Sequence, residues 1–231
     1  MGIFEIFDKN FFERLITASI LLPIVVIAVF YGGIFFQILI VFVTICMAYE
    51  WNEMTAQPNK DKSIIAQYTW KIIGAIYIGL PTISLLWIRD QERGFIITMW
   101  LLIVVWITDI AAYLFGRWIG GWKIYAPISS NKTWSGLIAG VISATLFGWW
   151  FSEKIESLHP FYLILLTATL SIYAQVGDFV ESFIKRKFGA KDSGDILPGH
   201  GGILDRVDGI VTVAPKVVVV LLFDKWGLFN Q

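Results

Sequence analysis

The sequence predicts an all-α, polytopic integral membrane bundle of about seven transmembrane helices. Three observations predict it. Of 231 residues, 57% are hydrophobic and only 16% charged, whereas soluble domains run about 45–50% apolar and about 25% charged. Apolar runs near the roughly 20 residues that cross a hydrocarbon core recur along the whole chain. The cations between those runs are sorted to one side, which a spanning topology explains and a soluble fold does not.

The runs are, in order, 15–31, 34–50, 71–88, 94–112, 135–151, 160–178 and 209–223. The first is too long for a signal peptide, lacks a small-x-small cleavage site and is followed by further runs, so it reads as an uncleaved span. Gly32 and Gly33 turn the chain into the second. The first four runs, up to Met99, carry almost no polar residues beyond Thr and Ser and read as scaffold and lipid-facing walls. In the fifth, Gly136, Gly140, Ala144 and Gly148 recur every four residues and form a small-residue stripe for close helix packing, within one subunit or at a homodimer seam. The sixth and seventh bracket the polar stretch described below. No soluble domain, repeat or linker interrupts the chain, so residues 1–231 form one membrane-embedded domain, with 1–100 as scaffold and 101–223 as the catalytic half.

Net charge is zero, yet the distribution is lopsided. Thirteen Lys and Arg fall at the N-terminus and in the 51–71, 113–134 and 179–208 loops, and four on the opposite side. The positive-inside rule puts the long loops in the cytoplasm and implies anionic partners there. Trp51, Trp70, Trp87, Trp118, Trp122, Trp134, Trp149, Trp150 and Trp226 fall near span ends, where aromatic anchoring accounts for them. Cys46, the single cysteine, excludes an intrachain disulfide.

Chemistry concentrates in Ser182–Asp208, which holds five basic residues, four aspartates, one histidine and five glycines. Asp109, Asp178, Asp205 and Asp208 all fall at the cytoplasmic ends of spans. A carboxylate there is costly unless paired, solvated or functional. Four at one level suit a hard polyvalent cation such as Mg²⁺, which takes carboxylate oxygens and leaves positions for water or phosphate. Asp205 and Asp208 share a helix face by their spacing. Lys132, Lys185, Arg186, Lys191 and Arg206 lie around them, and cations plus a metal are what a transferring phosphoryl group requires. Gly194, Gly199, Gly201 and Gly202 surround Pro198 and His200; this loop cannot stay helical, and its amides can approach phosphate closely.

These residues carry a resemblance. Ser182, Lys185-Arg186, Lys191-Asp192, Gly194, Leu197-Pro198, His200-Gly201-Gly202 and Asp205-Arg206-x-Asp208 match the signature of the phosphatidate cytidylyltransferase family at every fixed position. Gly177-Asp178, Glu181-Ser182 and Ala214-Pro215 also look like the family, as does a second block from Asp109 through Gly136. The resemblance covers Asp109 to Pro215; residues 1–100 match in hydropathy alone. Two positions depart. The family has Pro and Glu where this chain has Ser130 and Ser135.

The resemblance implies that CTP and phosphatidate, a membrane lipid, give CDP-diacylglycerol and pyrophosphate, at the bacterial inner membrane with the site facing the cytoplasm. Asp178, Asp205 and Asp208 are expected to hold Mg²⁺, with a second cation alongside. The catalytic set is these three with Lys191, Arg206 and His200. The substrate-binding set is Lys132, Lys185, Arg186, Ser182 and Asp109, joined by Lys216, which lies beside Pro215 in the seventh run outside the resemblance and is expected either to reach the lipid headgroup or to snorkel or pair structurally. Two rivals share the hydropathy: a CTP-dependent lipid-alcohol kinase, and a transporter using the intramembrane charges.

Overall fold

The computed structural model of the chain describes residues 9–56, 63–129, 131–155, 159–197, 201–223 and 229. Among these are seven helices and no strand: α1 (Lys9–Tyr31), α2 (Gly33–Ala56), α3 (Ile64–Arg89), α4 (Gly94–Ile119), α5 (Trp134–Lys154), α6 (Pro160–Lys187) and α7 (Leu204–Leu222). Each of the seven apolar runs lies within one helix apart from Phe223. Of the 51–70 segment, residues 51–56 belong to α2 and 64–70 to α3. Helices α2 to α6 are long and apolar enough to cross a membrane. Helix α7 carries four charged residues, Asp205, Arg206, Asp208 and Lys216, within its 19 residues.

The polar sites lengthen the helices beyond the apolar runs. Helix α6 continues three turns past Val176, so Asp178 sits inside it rather than at its end. Helix α4 likewise runs past Asp109 to Ile119. Packing centres on α4 and α7. Helix α4 contacts α1, α3, α5, α6 and α7; α7 contacts α2, α3, α4 and α6. Trp100, Leu101, Val104 and Val213 are fully buried in the core that these helices share with their neighbours. Ile34, Phe35, Ile38, Ile83 and Phe161 point outward, as side chains facing lipid do.

Small residues set the helix spacing around the site. A Cβ on Gly136 would stand 2.6 Å from the Ala112 carbonyl oxygen, and one on Gly148 2.8 Å from Thr167 Cβ. The stripe on α5 is thus used within the chain, against α4 and α6. A Cβ on Gly177 would stand 2.4 Å from the Asp208 carbonyl oxygen, which fixes how closely α6 and α7 cross. Thr212 Oγ1 donates to the Tyr173 carbonyl at 2.7 Å, and Thr108 Oγ1 to Ser171 Oγ at 2.9 Å. These bonds tie α6 to α7 and to α4 one or two turns from the acidic residues.

Candidate active site

A cavity of about 510 Å³ opens where α4, α5, α6 and the start of α7 converge. Helix α4 contributes Asp109, Ala112 and Tyr113. The 120–133 loop and the start of α5 contribute Ile124, Ser129, Asn131, Lys132 and Gly136. Helix α6 gives Ile172, Gln175, Val176, Asp178 and Phe179, and α7 gives Asp205, Arg206 and Asp208. Six residues singled out by the sequence thus meet in one place: Asp109, Lys132, Asp178, Asp205, Arg206 and Asp208.

Lys132 is held at the mouth by the local fold. Thr133 caps α5, its Oγ1 accepting from Gly136 N at 3.2 Å, so Lys132 projects just before the helix begins. Its Nζ lies 2.7 Å from Asp178 Oδ1 and 4.5 Å from the centre of the Phe179 ring. Ser135, standing where the family has Glu, donates to the Gly120 carbonyl and lies 3.0 Å from Thr133 Oγ1, which ties the 120–133 loop to the cap. Ser130 lies outside the described residues.

The acidic residues divide into two groups. Asp178, Glu181 and Asp208 each bring a carboxylate oxygen within 4.8 Å of the others. Glu181 is 4% exposed, and its Oε1 is buried without a hydrogen-bond partner among the described residues. An unpartnered carboxylate oxygen beside two more carboxylates is a donor set of the hard, oxygen-only kind that Mg²⁺ takes. Asp205 lines the same cavity but stands outside that group. Its Oδ1 receives Lys185 Nζ at 2.6 Å, and its Oδ2 accepts from Gly202 N at 2.9 Å and Ser193 N at 3.0 Å. Lys185 in turn reaches Glu181 Oε2 at 2.9 Å. Of the expected trio Asp178, Asp205 and Asp208, the structure brings Asp178 and Asp208 together with Glu181, while Asp205 is bonded to Lys185, Gly202 and Ser193.

Glu181 carried no assigned role in the sequence, although it is three residues after Asp178 on one helix. That spacing, the one used to pair Asp205 with Asp208, could have found it.

The glycine loop also takes a different part from the one expected. The amides of Ser193, Gly202, Ile203 and Leu204 already serve carboxylates: Asp205 takes the first two, and Glu50 of α2 takes Ile203 N at 2.8 Å and Leu204 N at 2.9 Å. These four amides are filled from within the protein rather than exposed to phosphate. The glycines make room for the acids. Gly201 has φ +79°, and a Cβ there would stand 2.9 Å from Asp205 Oδ2. Pro198, Gly199 and His200 lie outside the described residues.

Five expected residues stay out of the cavity. Arg186 donates to the carbonyls of Ile128 and Ala190, each at 3.3 Å, and so pins the 120–133 loop to the turn after α6. Lys191 lines a separate polar hollow with Glu50, Glu53 and Asp192. Lys216 sits over the Tyr173 ring at 4.8 Å. Ser182 lies on α6 beside Glu181 but is not part of the lining. Lys185 is engaged in the Glu181–Asp205 clamp rather than open to a substrate.

With this geometry in view, comparisons with known proteins decide the family. A family model described as "Cytidylyltransferase family" matches residues 12–74 and 62–223. The chain belongs to the cytidylyltransferase family. Its similarity extends well beyond Asp109–Pro215, through the helices that hydropathy alone had suggested. Proteins named phosphatidate cytidylyltransferase are similar over nearly their whole length. One from Rickettsia bellii (strain RML369-C) is 37% identical, covering 96% of this chain and 93% of the relative. Another, from Brucella suis biovar 1 (strain 1330), is 35% identical over 89% of this chain and 91% of its own. A third, from Rickettsia typhi, is 34% identical over 90% of each. The cytidylyltransferase assignment makes the protein a nucleotidyltransferase, and its apolar helices make it a membrane protein.

Proposed function

We propose that the protein transfers the cytidylyl group of CTP to phosphatidate, releasing pyrophosphate and forming CDP-diacylglycerol. The observation that carries this reading is the composition of the cavity. It joins four carboxylates and two cations to a wall of apolar side chains that also face lipid. Ile172 is 47% exposed and Val176 45%, and both line the cavity. A headgroup among the charges can thus keep its acyl chains among the helices, with access from the side.

The lipid's phosphate oxygen forms the new bond to the α-phosphorus of CTP, and the bond from that phosphorus to the bridging oxygen of pyrophosphate breaks. The attacking oxygen is already anionic, so no strong base is needed. Positioning and charge neutralisation carry the catalysis. Lys132 and Arg206, both in the cavity lining, hold phosphate oxygens. Asp178, Glu181 and Asp208 would hold Mg²⁺, which neutralises phosphate charge when bound. Asp109 faces the same space and orients ligands. Lys185 bridges Glu181 and Asp205 and holds them in register. The active face is cytoplasmic, and the membrane is the bacterial inner membrane, as the cation asymmetry and the bacterial relatives suggest.

A lipid-alcohol kinase would move the γ-phosphoryl group of CTP instead; the family match favours cytidylyl transfer. The test is pyrophosphate release by the purified protein in mixed micelles with CTP and Mg²⁺. Release that requires phosphatidate supports the proposal. Release that requires a lipid alcohol, or none with either lipid, rejects it.

A further inference from the structure

Glu50 stands in the half of the chain that reads as scaffold, yet it is the most deeply buried acid among the described residues, at 1% exposure. Its two oxygens divide the start of α7 between them. Oε1 accepts from Ile203 N at 2.8 Å and Oε2 from Leu204 N at 2.9 Å, and Ser193 Oγ lies 3.4 Å from Oε2. The first amides of a helix lack intrahelical partners, and the helix dipole favours a negative charge there. Ordinarily a residue next to the helix supplies that acceptor. Here Ile203, the capping position, has no suitable side chain, and a carboxylate 153 residues upstream supplies it.

The loop is shaped to receive this carboxylate. A Cβ on Gly194 would stand 2.9 Å from Glu50 Cγ, and one on Gly202 2.8 Å from Glu50 Oε2. Ser193 is gripped from two sides, its Oγ near Glu50 and its N–H on Asp205. Asp205 connects through Lys185 to Glu181, and Glu181 to Asp178 and Asp208. Asp208 lies four residues past Leu204, about 6 Å along the helix at 1.5 Å per residue. Whatever fixes the first turn of α7 therefore fixes the height and rotation of Asp208 and Arg206 against α6.

We propose that Glu50 is a positioning residue for cytidylyl transfer: it sets the register of α7, and through it the placement of Asp208 and Arg206, without touching substrate. This rests on the proposed function, since Asp208 and Arg206 are the groups whose placement matters.

The experiment compares Glu50→Gln, Glu50→Asp and Arg89→Gln. Arg89 makes a comparable tie at the other end of the bundle, donating to the Val29 carbonyl at 2.8 Å and the Phe30 carbonyl at 3.2 Å. Glu50→Gln keeps the shape but turns one acceptor into a donor facing an amide. Its kcat should fall about tenfold or more while KM for CTP and phosphatidate stays within about twofold. Glu50→Asp keeps the charge but is one methylene short, and its kcat should fall between the two. Arg89→Gln should lower thermal stability and leave kcat per folded molecule within about twofold of wild type.

A Glu50→Gln protein that matches Arg89→Gln, less stable but equally fast, would overturn the proposal. If Glu50→Gln does not fold, Glu50→Asp decides: a kcat within about twofold of wild type overturns it, and a larger loss at unchanged KM upholds it. Hydrogen exchange over residues 201–208 gives a reading independent of turnover. It should speed up in the Glu50 variants and not in Arg89→Gln, even if the wild type proves inactive with these substrates; unchanged exchange overturns the capping role. Failure of the wild-type assay would count against the proposed function and leave this reading standing.

Discussion

Gly177→Ala puts the crossing of α6 and α7 to the test. The added methyl group would stand 2.4 Å from the Asp208 carbonyl oxygen and 2.6 Å from Thr212 Oγ1, whereas ordinary contact begins at 3.4 Å. Relief requires α7 to retreat by about 1.0 Å, the difference between 3.4 and 2.4 Å. Neither obstacle is the far end of a flexible chain: one is backbone, and the other is tied by its bond to Tyr173. Overpacking of this kind costs about 1–3 kcal/mol of stability. The same retreat separates Asp208 from Asp178 and Glu181, whose oxygens now lie within 4.8 Å of one another. Misplacement by about an ångström costs on the order of 10²-fold in rate, or about 2.7 kcal/mol of transition-state stabilisation.

The assay is phosphatidate-dependent pyrophosphate release per folded molecule, with thermal stability measured in parallel. Gly79→Ala is the control. Its Cβ would meet nothing within 4 Å, and alanine is the better helix residue by about 0.5–1 kcal/mol, so it should be neutral or slightly stabilising. A folded Gly177→Ala protein with turnover within about threefold of wild type would refute the link between helix spacing and site geometry.

Asp178→Asn, Glu181→Gln and Asp208→Asn should each leave less than about a tenth of wild-type turnover in folded protein, and excess EDTA should abolish wild-type activity until Mg²⁺ is restored; an active Glu181→Gln would return the third place to Asp205. Lys132→Met removes the cation 2.7 Å from Asp178 and should raise KM for CTP more than thermal stability falls, measured by initial rates over a CTP series. For topology, Glu92→Cys and Lys123→Cys in a Cys46→Ser background occupy exposed positions on opposite sides of the bundle. An impermeant maleimide applied to the outside of intact cells should label the first and not the second; the reverse pattern would invert the orientation.

The fold was legible because hydropathy reports the solvent. Seven apolar runs became seven helices, and their lipid-facing residues kept the pattern visible. Helix ends were not legible where the helices leave the apolar layer: α6 runs on to Lys187 because Glu181 and Lys185 pair along it, which hydropathy cannot register. The site was legible where residues cluster in sequence. Lys132, Asp178, Arg206 and Asp208 were all named and do meet. The partners of Asp205 were not legible, because charge type and spacing say nothing of competing donors, and here Lys185 and two amides bond to it. Glu50 was illegible for the opposite reason. A lone acid at the end of an apolar run looks like the edge of a span, and only tertiary folding brings it to Leu204.

The most direct test of the account uses CTP labelled in two positions. The purified protein is given phosphatidate with either α-³²P or γ-³²P CTP, and the lipid extract and the aqueous phase are counted. The account predicts label from the α position in the lipid and label from the γ position in aqueous pyrophosphate. Label from the γ position in the lipid would mean phosphoryl transfer and contradict the account, as would a lipid extract that stays unlabelled in both.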